Sequence, residues 1–312
     1  MLPLTVLMPV CDTPADMLHQ AIDSILGQSF GDFEFLMVDD GSRRQETRDC
    51  LNGYLKADAR VRVLWEEHCG VTAALNTGLR HARGAFIARQ DADDWSEPSR
   101  LEAQVEFLRA HPDTGLCGTA AWTHQENGRR LWLRRLPLGN EEILAAFWHG
   151  SPFMHGSVMF ERERALSIGG YREEFPCSQD YDFLWRLAEA AGAANLSDAL
   201  YHYRYASRSV SARRAAEQAN TFQAAQKLAL ARRRGETEDV AGALAGGEGL
   251  SSIFDAALKQ ADHLMLAGAY GSACQAYLHL VMARPASGRA WAKLGRCALF
   301  VAIPQIREVC FR

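Results

Sequence analysis

The alternation of short apolar runs with amphipathic segments over the first third of the chain is the feature that most constrains its fold. Buried strands are predicted at residues 5–10, 33–38, 61–65 and 85–88. Helices with one apolar face are predicted between the first two strands and at residues 45–55, 71–81 and 98–110. A strand–helix repeat of this kind predicts an α/β fold, with a Rossmann-like, mostly parallel sheet flanked by helices.

Acidic residues follow the predicted strands at the end where a parallel sheet binds its ligands. They are Asp12 after the first strand, Asp39 and Asp40 after the second, and Asp91, Asp93 and Asp94 after the fourth. Because the carboxyl ends of parallel strands share one edge, these side chains are expected to lie together. The sequence therefore predicts a polar binding site at this edge.

The triplet Asp91-Ala92-Asp93 has the form of a cation site. Two carboxylates at alternate positions of extended backbone project to the same side, and a small alanine between them leaves room for a ligand. Carboxylate oxygens suit Mg²⁺ or Mn²⁺, which bridge phosphate oxygens and offset charge on a departing nucleoside diphosphate. The alternative is an acidic turn before the helix at 98–110, and for the triplet alone this is the more common case. Asp94 is expected to start that helix.

The segment Asp39-Asp40-Gly41-Ser42 ends the second predicted strand with residues typical of a turn. Its carboxylates can accept hydrogen bonds from a nucleotide base or ribose. A simple strand-to-helix turn is the alternative, and these residues alone leave both interpretations open.

Composition narrows the class of protein. The chain has 312 residues and a formal net charge of -4, which does not favour nucleic acid as a partner. None of its eight cysteines belongs to a CxxC pair, so the spacing predicts unpaired thiols in a reducing cytosol and no zinc site. The N-terminus is interpreted as a strand, not a signal peptide, and no segment approaches the about 18 apolar residues that span a bilayer. We expect a cytoplasmic protein, and peripheral contact with the inner face of the membrane stays open.

Beyond the first 112 residues the pattern becomes mixed. Strands are predicted at 116–122, 157–160 and 199–205, and helices at 141–147 and 181–191. The chain from about residue 211 is predicted to be helical. We expect an α/β domain at 1–210, with a nucleotide half at about 1–112 and an acceptor half at about 113–210. The helical region at 211–312 contains a Gly/Ala-rich linker at about 241–249.

A series of motifs over about residues 3–205 resembles family 2 glycosyltransferases. The motifs are VLMPV (6–10), SILGQSF (24–30), FEFLMVDDGS (33–42), GVTAALNTG (70–78), GAFIARQDADDW (84–95), PSRLE (98–102), HGSVMF (155–160), GGYR (169–172) and DYDFLWRL (180–187). Many motifs in a fixed order make the resemblance specific, unlike any one of them alone. It implies a GT-A fold and a reaction with inversion at the anomeric carbon. It also implies that Pro9, Val10, Asp12 and Asp40 line the nucleotide base.

The resemblance further assigns roles to three carboxylates. Asp93 would be the principal metal ligand, Asp91 would lie near the ribose or the metal, and Asp180 would be the general base. The chemistry asks for such a base independently, because a sugar hydroxyl is a poor nucleophile until a carboxylate takes its proton. The alternative for Asp180 is a residue in the first turn of a helix that interacts with the helix dipole.

The sequence departs from the family pattern in three places. Cys11-Asp12 stands where an aromatic residue and Asn are usual, which puts base stacking in doubt. Gln179 precedes Asp180 where Glu is common, so contacts to the acceptor are expected to differ. The Gln-x-x-Arg-Trp signature of processive synthases is absent, which favours addition of a single sugar.

Four further residues are weaker candidates, each with a structural alternative. Trp95 is a candidate platform for a sugar ring, and His155 a candidate contact to donor phosphates or acceptor. Asn76 either hydrogen-bonds near the donor or caps the buried side of its helix. Trp185 is expected in the core.

The tail resembles one tetratricopeptide-like helical hairpin and the start of another, over residues 261–295. An ordinary helical extension is the equal alternative. In either form the tail is a candidate for contact with a protein partner or with the membrane surface.

These features predict an inverting glycosyltransferase for a hexosyl or N-acetylhexosaminyl group. The donor is expected to be a UDP- or dTDP-sugar, and the acceptor a hydroxyl of a glycan or lipid-linked molecule in surface polysaccharide or glycan assembly. The alternative is a degenerate transferase domain that acts as a binding or scaffold protein through its helical tail. The presence of Asp91, Asp93 and Asp180 argues against that alternative.

Overall fold

The computed structural model describes residues 2–205, 215–245, 257–258, 261–262, 264–266, 270–283 and 285–302. The chain divides into two compact units. The first unit comprises residues 1–122, 133–173 and 179–203, and the second comprises 123–132, 174–178 and 204–312. The second unit thus combines the tail with two short segments of the middle region, whereas the sequence places a single boundary at residue 210. That boundary stays a prediction.

Four parallel strands open the first unit, as the apolar runs predict. The strands are β1 (Leu2–Val10), β2 (Phe33–Asp40), β3 (Val61–Glu66) and β4 (Gly84–Arg89). The helices that connect them are α1 (Ala15–Leu26), α2 (Gln45–Ala57) and α3 (Val71–His81). These strands pair in the order β3-β2-β1-β4, and each pairing is parallel. The Rossmann-like half of the predicted fold is confirmed.

Burial on both faces explains why the central strands β1 and β2 appear in the sequence as nearly continuous apolar runs. Every residue of β2 is buried. The helices approach the sheet closely, because a Cβ at Gly78 of α3 would lie 2.1 Å from a methyl carbon of Leu7 on β1. A glycine at this point lets α3 lie directly on the sheet.

Further strands of the sheet follow along the chain. They are β5 (Trp95–Ser96), β6 (Leu116–Gln125), β7 (Arg130–Arg134), β8 (Met159–Glu161) and β9 (Ala193–Tyr205). In this part of the sheet, β4 pairs with β8, β8 with β6, and β9 with β5 in antiparallel fashion. The helices are α4 (Arg100–Ala110), α5 (Asn140–Ala146), α6 (Arg162–Ser167) and α7 (Gln179–Ala191). The full order is β3-β2-β1-β4-β8-β6-β9-β5, and β7 pairs with β6. The α/β class is confirmed, with a mixed sheet whose parallel part is β1 to β4.

Among the boundaries that differ from the sequence prediction, two are set by a neighbouring strand pairing or turn. The helix predicted from residue 98 begins at Arg100, since Trp95 and Ser96 pair with β9 and the chain needs the next residues to turn. The strand predicted at 157–160 is Met159–Glu161, because a short 3-10 turn occupies His155–Ser157.

The tail is helical, as predicted. Its helices are α8 (Ala215–Arg233), α9 (Val240–Ala245), α10 (Tyr270–Ala283) and α11 (Gly288–Ala302). Tyr277 and Phe300 are central to its own apolar core, and Tyr277 and Lys293 both contact the carboxylate of Asp262. The tetratricopeptide likeness stays a prediction.

The proposed linker at 241–249 is corrected in part. Residues 241–245 belong to α9, which agrees with the high helix propensity of alanine, and residues 246–249 lie outside the described residues. None of the helices in the described part of the chain combines the length and the apolar composition that crossing a bilayer requires.

Candidate active site

The carboxyl ends of the parallel strands form one edge of the sheet in the first unit. The register places Val10 beside Asp39 and Leu7 beside Arg89. The loops after β1, β2 and β4 therefore begin at the same edge. These loops carry the acidic residues that the sequence analysis singled out.

The loop after β4 is shaped by a buried glutamine. Gln90 is 0% exposed and its Nε2 donates to the carbonyl oxygens of Asp91 and Asp94, at 3.0 and 3.1 Å. Its Oε1 accepts a hydrogen bond from Ser96 Oγ at 2.8 Å. This arrangement turns the chain so that Asp91 and Asp93 are both half-buried at the sheet edge.

Tyr201 of β9 holds the same loop from the other side. Its hydroxyl is fully buried, donates to Asp94 Oδ2 at 2.9 Å, and accepts the backbone N–H of Asp91 at 3.2 Å. The expectation that Asp94 starts a helix is wrong. Asp94 is a buried carboxylate that fixes Tyr201, and α4 begins six positions later at Arg100.

Asp91 and Asp93 fit a hard divalent cation that is shared with a substrate. Mg²⁺ commonly takes one or two protein carboxylates and completes its coordination with water and phosphate oxygens. Asp91 also forms an ion pair with the buried guanidinium of Arg89. This pair offsets part of the charge of Asp91, and the role of Asp93 as the principal ligand stays a prediction.

Arg89 is the charged group that links the loop to the rest of the site. Burial alone would lower the pKa of its guanidinium, but Asp91 and the hydroxyls of Tyr201 and Tyr171 raise that pKa. The side chain is therefore a permanent cation inside the protein. Such a cation can orient a carboxylate without titrating.

Asp180 lies in the first turn of α7. Burial raises the pKa of its carboxyl; backbone N–H groups and Arg89 oppose the rise, and Asp91 adds to it. The charges of Arg89 and Asp91 thus act on Asp180, as expected for groups that share one site. A carboxylate with a raised pKa suits proton abstraction from a hydroxyl.

His155 begins the 3-10 turn that faces this loop. Its Nε2 lies 2.9 Å from the hydroxyl oxygen of Tyr171. Burial, followed by the charge of Arg89, lowers the pKa of His155 well below its usual range. The imidazole is therefore neutral at pH 7, so it can hydrogen-bond a ligand but cannot offer a positive charge to a phosphate.

Two residues that the sequence analysis did not single out lock these loops together. Arg100 is 0% exposed and donates from NH1 to the carbonyl of Gly156 at 2.9 Å and from NH2 to that of Arg89 at 3.0 Å. A Cβ at Gly156 would lie 1.9 Å from the Tyr201 hydroxyl and 2.5 Å from Asp91 Oδ2. The only sequence feature that points to Arg100 and Gly156 is their place within motifs of the family resemblance.

Asp40 closes β2 and is 4% exposed. Its Oδ1 accepts the backbone N–H groups of Cys69 and Gly70 at 2.7 and 3.0 Å, and His68 Nδ1 lies 2.9 Å from Oδ2. The carboxylate is thus held in place by the loop after β3. Its role as a contact to the nucleotide base stays a prediction.

Asp12 has a local structural function that the sequence did not suggest. Its backbone has a positive φ of 48°, and its Oδ1 accepts two backbone N–H groups of the loop before α2, at 2.7 and 2.8 Å. The pKa of the Asp12 carboxyl is lowered, chiefly by the hydrogen bond from the backbone N–H of Arg44. Pro9 and Val10 end β1 just before it, with Val10 buried and Pro9 half-buried. Donor contacts by these three residues stay predictions.

Asn76 acts as a clamp inside the protein. Its Oδ1 accepts the N–H of Tyr171 at 2.9 Å, and its Nδ2 donates to the carbonyl of the same residue at 2.8 Å. Gly170 lies against the amide, since a Cβ there would be 2.7 Å from Asn76 Oδ1. Asn76 therefore positions the segment that carries Tyr171, and a contact to the donor stays a prediction.

The remaining candidates occupy the flanks of the site. Trp95 stacks on His202 with ring centroids 4.8 Å apart, and it is half-buried. Gln179 is the first residue of α7 and is also half-buried. Trp185 is 0% exposed and stacks on Phe147, so its expected place in the core is confirmed.

The sequence also matches known proteins. The profile of the family described as "Glycosyl transferase family 2" matches residues 5–168. The amylovoran biosynthesis glycosyltransferase AmsE of Erwinia amylovora is 32% identical over 199 residues, which are 63% of this chain and 74% of that protein. The uncharacterized protein y4gI of Sinorhizobium fredii is 32% identical over 187 residues, which are 60% of this chain but 20% of that protein.

Two solved structures share the fold. The mannosyltransferase PcManGT from Pyrobaculum calidifontis, in complex with GDP-Man and Mn²⁺, aligns with a TM-score of 0.56 at 21% identity over 99% of this chain and 83% of that one. S. aureus TarS 1–349, in complex with UDP, aligns with a TM-score of 0.56 at 18% identity over 95% of this chain and 88% of that one. These likenesses confirm the GT-A-like α/β fold.

Proposed function

Because the chain belongs to glycosyl transferase family 2, we propose that it transfers a sugar from a nucleoside-diphosphate donor to an acceptor hydroxyl, with inversion at the anomeric carbon. The observation that carries this proposal is the joint electrostatics of the site. Arg89 pairs with Asp91, and its charge also lowers the pKa of Asp180 against the larger effect of burial. This supports one site that contains the proposed metal ligands and the proposed base.

The donor is proposed to lie along the carboxyl edge of β1 to β4. Pro9, Val10, Asp12 and Asp40 contact the nucleotide base, which belongs to a UDP- or dTDP-sugar. The complexes of TarS with UDP and of PcManGT with GDP-Man support a nucleotide-linked donor for this chain.

The diphosphate is proposed to lie at the loop after β4, where Asp93 and Asp91 hold Mg²⁺ or Mn²⁺. When bound, the cation offsets the charge that grows on the departing nucleoside diphosphate. Arg89 holds the carboxylate of Asp91, and Gln90 and Tyr201 fix the backbone around it. The Mn²⁺ in the PcManGT complex supports this choice of cofactor.

Asp180 is proposed to take the proton of the acceptor hydroxyl as that oxygen forms the new glycosidic bond. Its raised pKa makes the deprotonated carboxylate a better proton acceptor than an ordinary aspartate. Neutral His155 donates or accepts a hydrogen bond at the donor phosphates or the acceptor. Trp95 and Gln179 contact the acceptor from the flanks.

The wider setting follows from the relatives. AmsE is named for amylovoran biosynthesis, which supports a place for this chain in polysaccharide assembly, with a hexosyl or N-acetylhexosaminyl group added to a glycan or lipid-linked acceptor. The seven cysteines that the structure describes are not joined in disulfides, which suits a reducing cytoplasm. The helical tail is proposed to contact a protein partner or the inner face of the membrane.

A donor-turnover assay tests the proposed base. The full chain is incubated with a panel of nucleotide sugars, Mn²⁺ and acceptor extracts, and release of nucleoside diphosphate is measured. We expect Asp180→Asn to keep donor binding and to lower turnover by about 10²–10⁴-fold, the usual contribution of general base catalysis. Asp198→Asn, an exposed carboxylate on β9, is the matched control and is expected to keep turnover. Near-normal turnover of Asp180→Asn would contradict the assignment.

A further inference from the structure

Three side chains from separate loops meet at the carboxyl ends of β1, β2 and β3. Cys11 follows β1, Asp40 ends β2 and His68 follows β3. One ligand atom from each, a sulfur, a carboxylate oxygen and an imidazole nitrogen, lies within 4.8 Å of the other two. In the described part of the chain, no other three His, Cys, Asp or Glu side chains come together in this way.

The distances in this cluster are close to those of a tetrahedral metal site. Zn–S bonds of about 2.3 Å and Zn–N or Zn–O bonds of about 2.0–2.2 Å put a sulfur and a nitrogen about 3.6 Å apart, and a nitrogen and an oxygen about 3.4 Å apart. Cys11 Sγ lies 3.8 Å from His68 Nδ1, which lies 2.9 Å from Asp40 Oδ2. Because Cys11 and His68 are exposed, small side-chain rotations suffice to reach the metal geometry.

Backbone N–H groups hold Asp40, the buried member of the cluster, in place. Asp40 accepts the N–H groups of Cys69 and Gly70, in the way that ligating carboxylates are oriented in metal sites. Gly41 allows the two loops to touch, because its φ is 65° and a Cβ there would lie 2.7 Å from the backbone nitrogen of His68. The placement of His68 beside Asp40 is therefore built into the fold.

Cys11 has acidic neighbours: Asp12 is the next residue, and Asp39 and Asp40 end β2, whose register places Asp39 beside Val10. These carboxylates favour a cation at this position. A divalent cation offsets these carboxylates and binds the sulfur as a thiolate, and the thiol proton passes to solvent.

We propose that Cys11, Asp40 and His68 form a binding site for Zn²⁺ or a similarly soft divalent cation, with a water molecule in the fourth position. Thiolate and imidazole ligands select such ions over Mg²⁺ and Mn²⁺. The site is therefore chemically distinct from the all-oxygen pair of Asp91 and Asp93. Sequence spacing conceals it, because each ligand comes from a different βα loop.

Binding of Zn²⁺ at this site also affects the donor site, and this consequence rests on the proposed function. Asp40 is there assigned to the nucleotide base, so a bound Zn²⁺ withdraws that carboxylate from the donor. Zinc and nucleotide then compete for the same edge. Zinc binding itself does not depend on this assignment.

Metal titration of the full chain in the absence of nucleotide tests the site. We expect Co²⁺, a spectroscopic stand-in for Zn²⁺, to produce a thiolate-to-cobalt charge-transfer band that stoichiometric Zn²⁺ abolishes. Cys11→Ser should remove the band, and His68→Ala should weaken Zn²⁺ binding at least about tenfold, since even residues behind the ligands contribute 10–100-fold. Cys69→Ser is the matched control: it removes an exposed thiol next to His68 and should leave the band and the Zn²⁺ affinity unchanged.

Two results would overturn the proposal. One is the absence of a thiolate band in the wild-type chain, and the other is an equal loss of Zn²⁺ affinity in Cys11→Ser and Cys69→Ser. A thermal unfolding midpoint that rises with Zn²⁺ in the wild type and in Cys69→Ser, but not in Cys11→Ser, supports it independently. UDP, dTDP or GDP affinity that is insensitive to bound Zn²⁺ would leave the metal site intact and contradict the placement of the base at Asp40.

Discussion

At the scale of single residues, the proposed base Asp180 is a carboxylate whose pKa is raised by burial. Its place in the first turn of α7 brings backbone N–H groups that favour the charged form, and Arg89 adds to that effect. Burial outweighs both, so the net pKa is raised. The carboxylate is a stronger base once ionised, but it is protonated and idle over a wider range of acid pH.

A pH profile of transfer tests this balance. We expect kcat/KM of the wild type to rise with pH through an apparent pKa above 3.8, the ordinary value of an aspartate. The sign follows because only the deprotonated form accepts a proton, and a raised pKa moves the acid limb to higher pH. An acid limb at or below the ordinary value would contradict the role of burial at Asp180.

The residues that hold the loop after β4 in place could not be predicted from local sequence patterns. The sequence pattern predicts Asp91 and Asp93 on one side of extended backbone, but residues 92 and 93 form a turn in which the N–H of Asp94 donates to the carbonyl of Asp91 at 3.4 Å. A common direction of the two carboxylates therefore does not follow from their spacing. Tyr201 is 110 residues away from Asp91, and only the pairing of β5 with β9 brings its hydroxyl to the loop. The burial of Arg89 and its ion pair with Asp91 also depend on packing by residues that are distant in the sequence. No local sequence pattern predicts them.

At the scale of elements, the site depends on the contact between two loops. The 3-10 turn at His155–Ser157 lies against the loop after β4, and Arg100 hydrogen-bonds to both through their carbonyls. Gly156 is the point of closest approach. The contact between the two loops therefore requires that this position carry no side chain.

Replacement of Gly156 by alanine tests this contact. A Cβ would lie 1.9 Å from the Tyr201 hydroxyl, so Gly156→Ala must push apart the two loops. We expect a loss of about 1–3 kcal/mol in unfolding free energy, as for other overpacked sites, and a loss of transfer activity. Chemical denaturation and turnover assays measure the two effects.

Gly150→Ala is the matched control, because a Cβ at Gly150 meets nothing within 4 Å. It precedes the same turn by a few residues and should keep both stability and activity. Equal behaviour of the two variants would show that the loops do not need this close approach.

The elements that were predicted well are those whose burial is strong and continuous. The central strands β1 and β2 are almost wholly buried, so their apolar runs stand out, and α3 was predicted at its observed bounds of Val71–His81. The strand β5 has two residues, too few for any periodicity, and its pairing moved the start of α4 to Arg100. Short edge elements are defined by their partners, which a local pattern does not contain.

At the scale of the whole molecule, the sequence boundary at residue 210 does not coincide with the limits of the compact units. The second unit includes 123–132 and 174–178 together with the tail. Within it, buried Gln125 donates from Nε2 to the hydroxyl of Tyr270 at 2.9 Å. Such a contact across 145 residues of chain was not accessible to composition or linker patterns.

Truncation tests which boundary the chain respects. A chain ending at residue 210 loses Tyr270 and the apolar core of the tail, which leaves buried Gln125 unsatisfied. We expect it to unfold at a lower temperature than the full chain, measured by circular dichroism. A chain ending at residue 302 is the control and should unfold like the full chain. An unchanged midpoint for the chain ending at 210 would support the sequence boundary instead.

The central claim is that the loop after β4 binds a nucleoside diphosphate through a divalent cation held by Asp93 and Asp91. Calorimetric titration of the full chain with UDP, dTDP and GDP, in Mn²⁺ and in EDTA, tests it most directly. We predict binding of at least one nucleotide that requires Mn²⁺ and that Asp93→Asn weakens by at least about tenfold, or 1.4 kcal/mol. Asp198→Asn should bind as the wild type does. Equal nucleotide affinity in EDTA, or in Asp93→Asn, would contradict the claim.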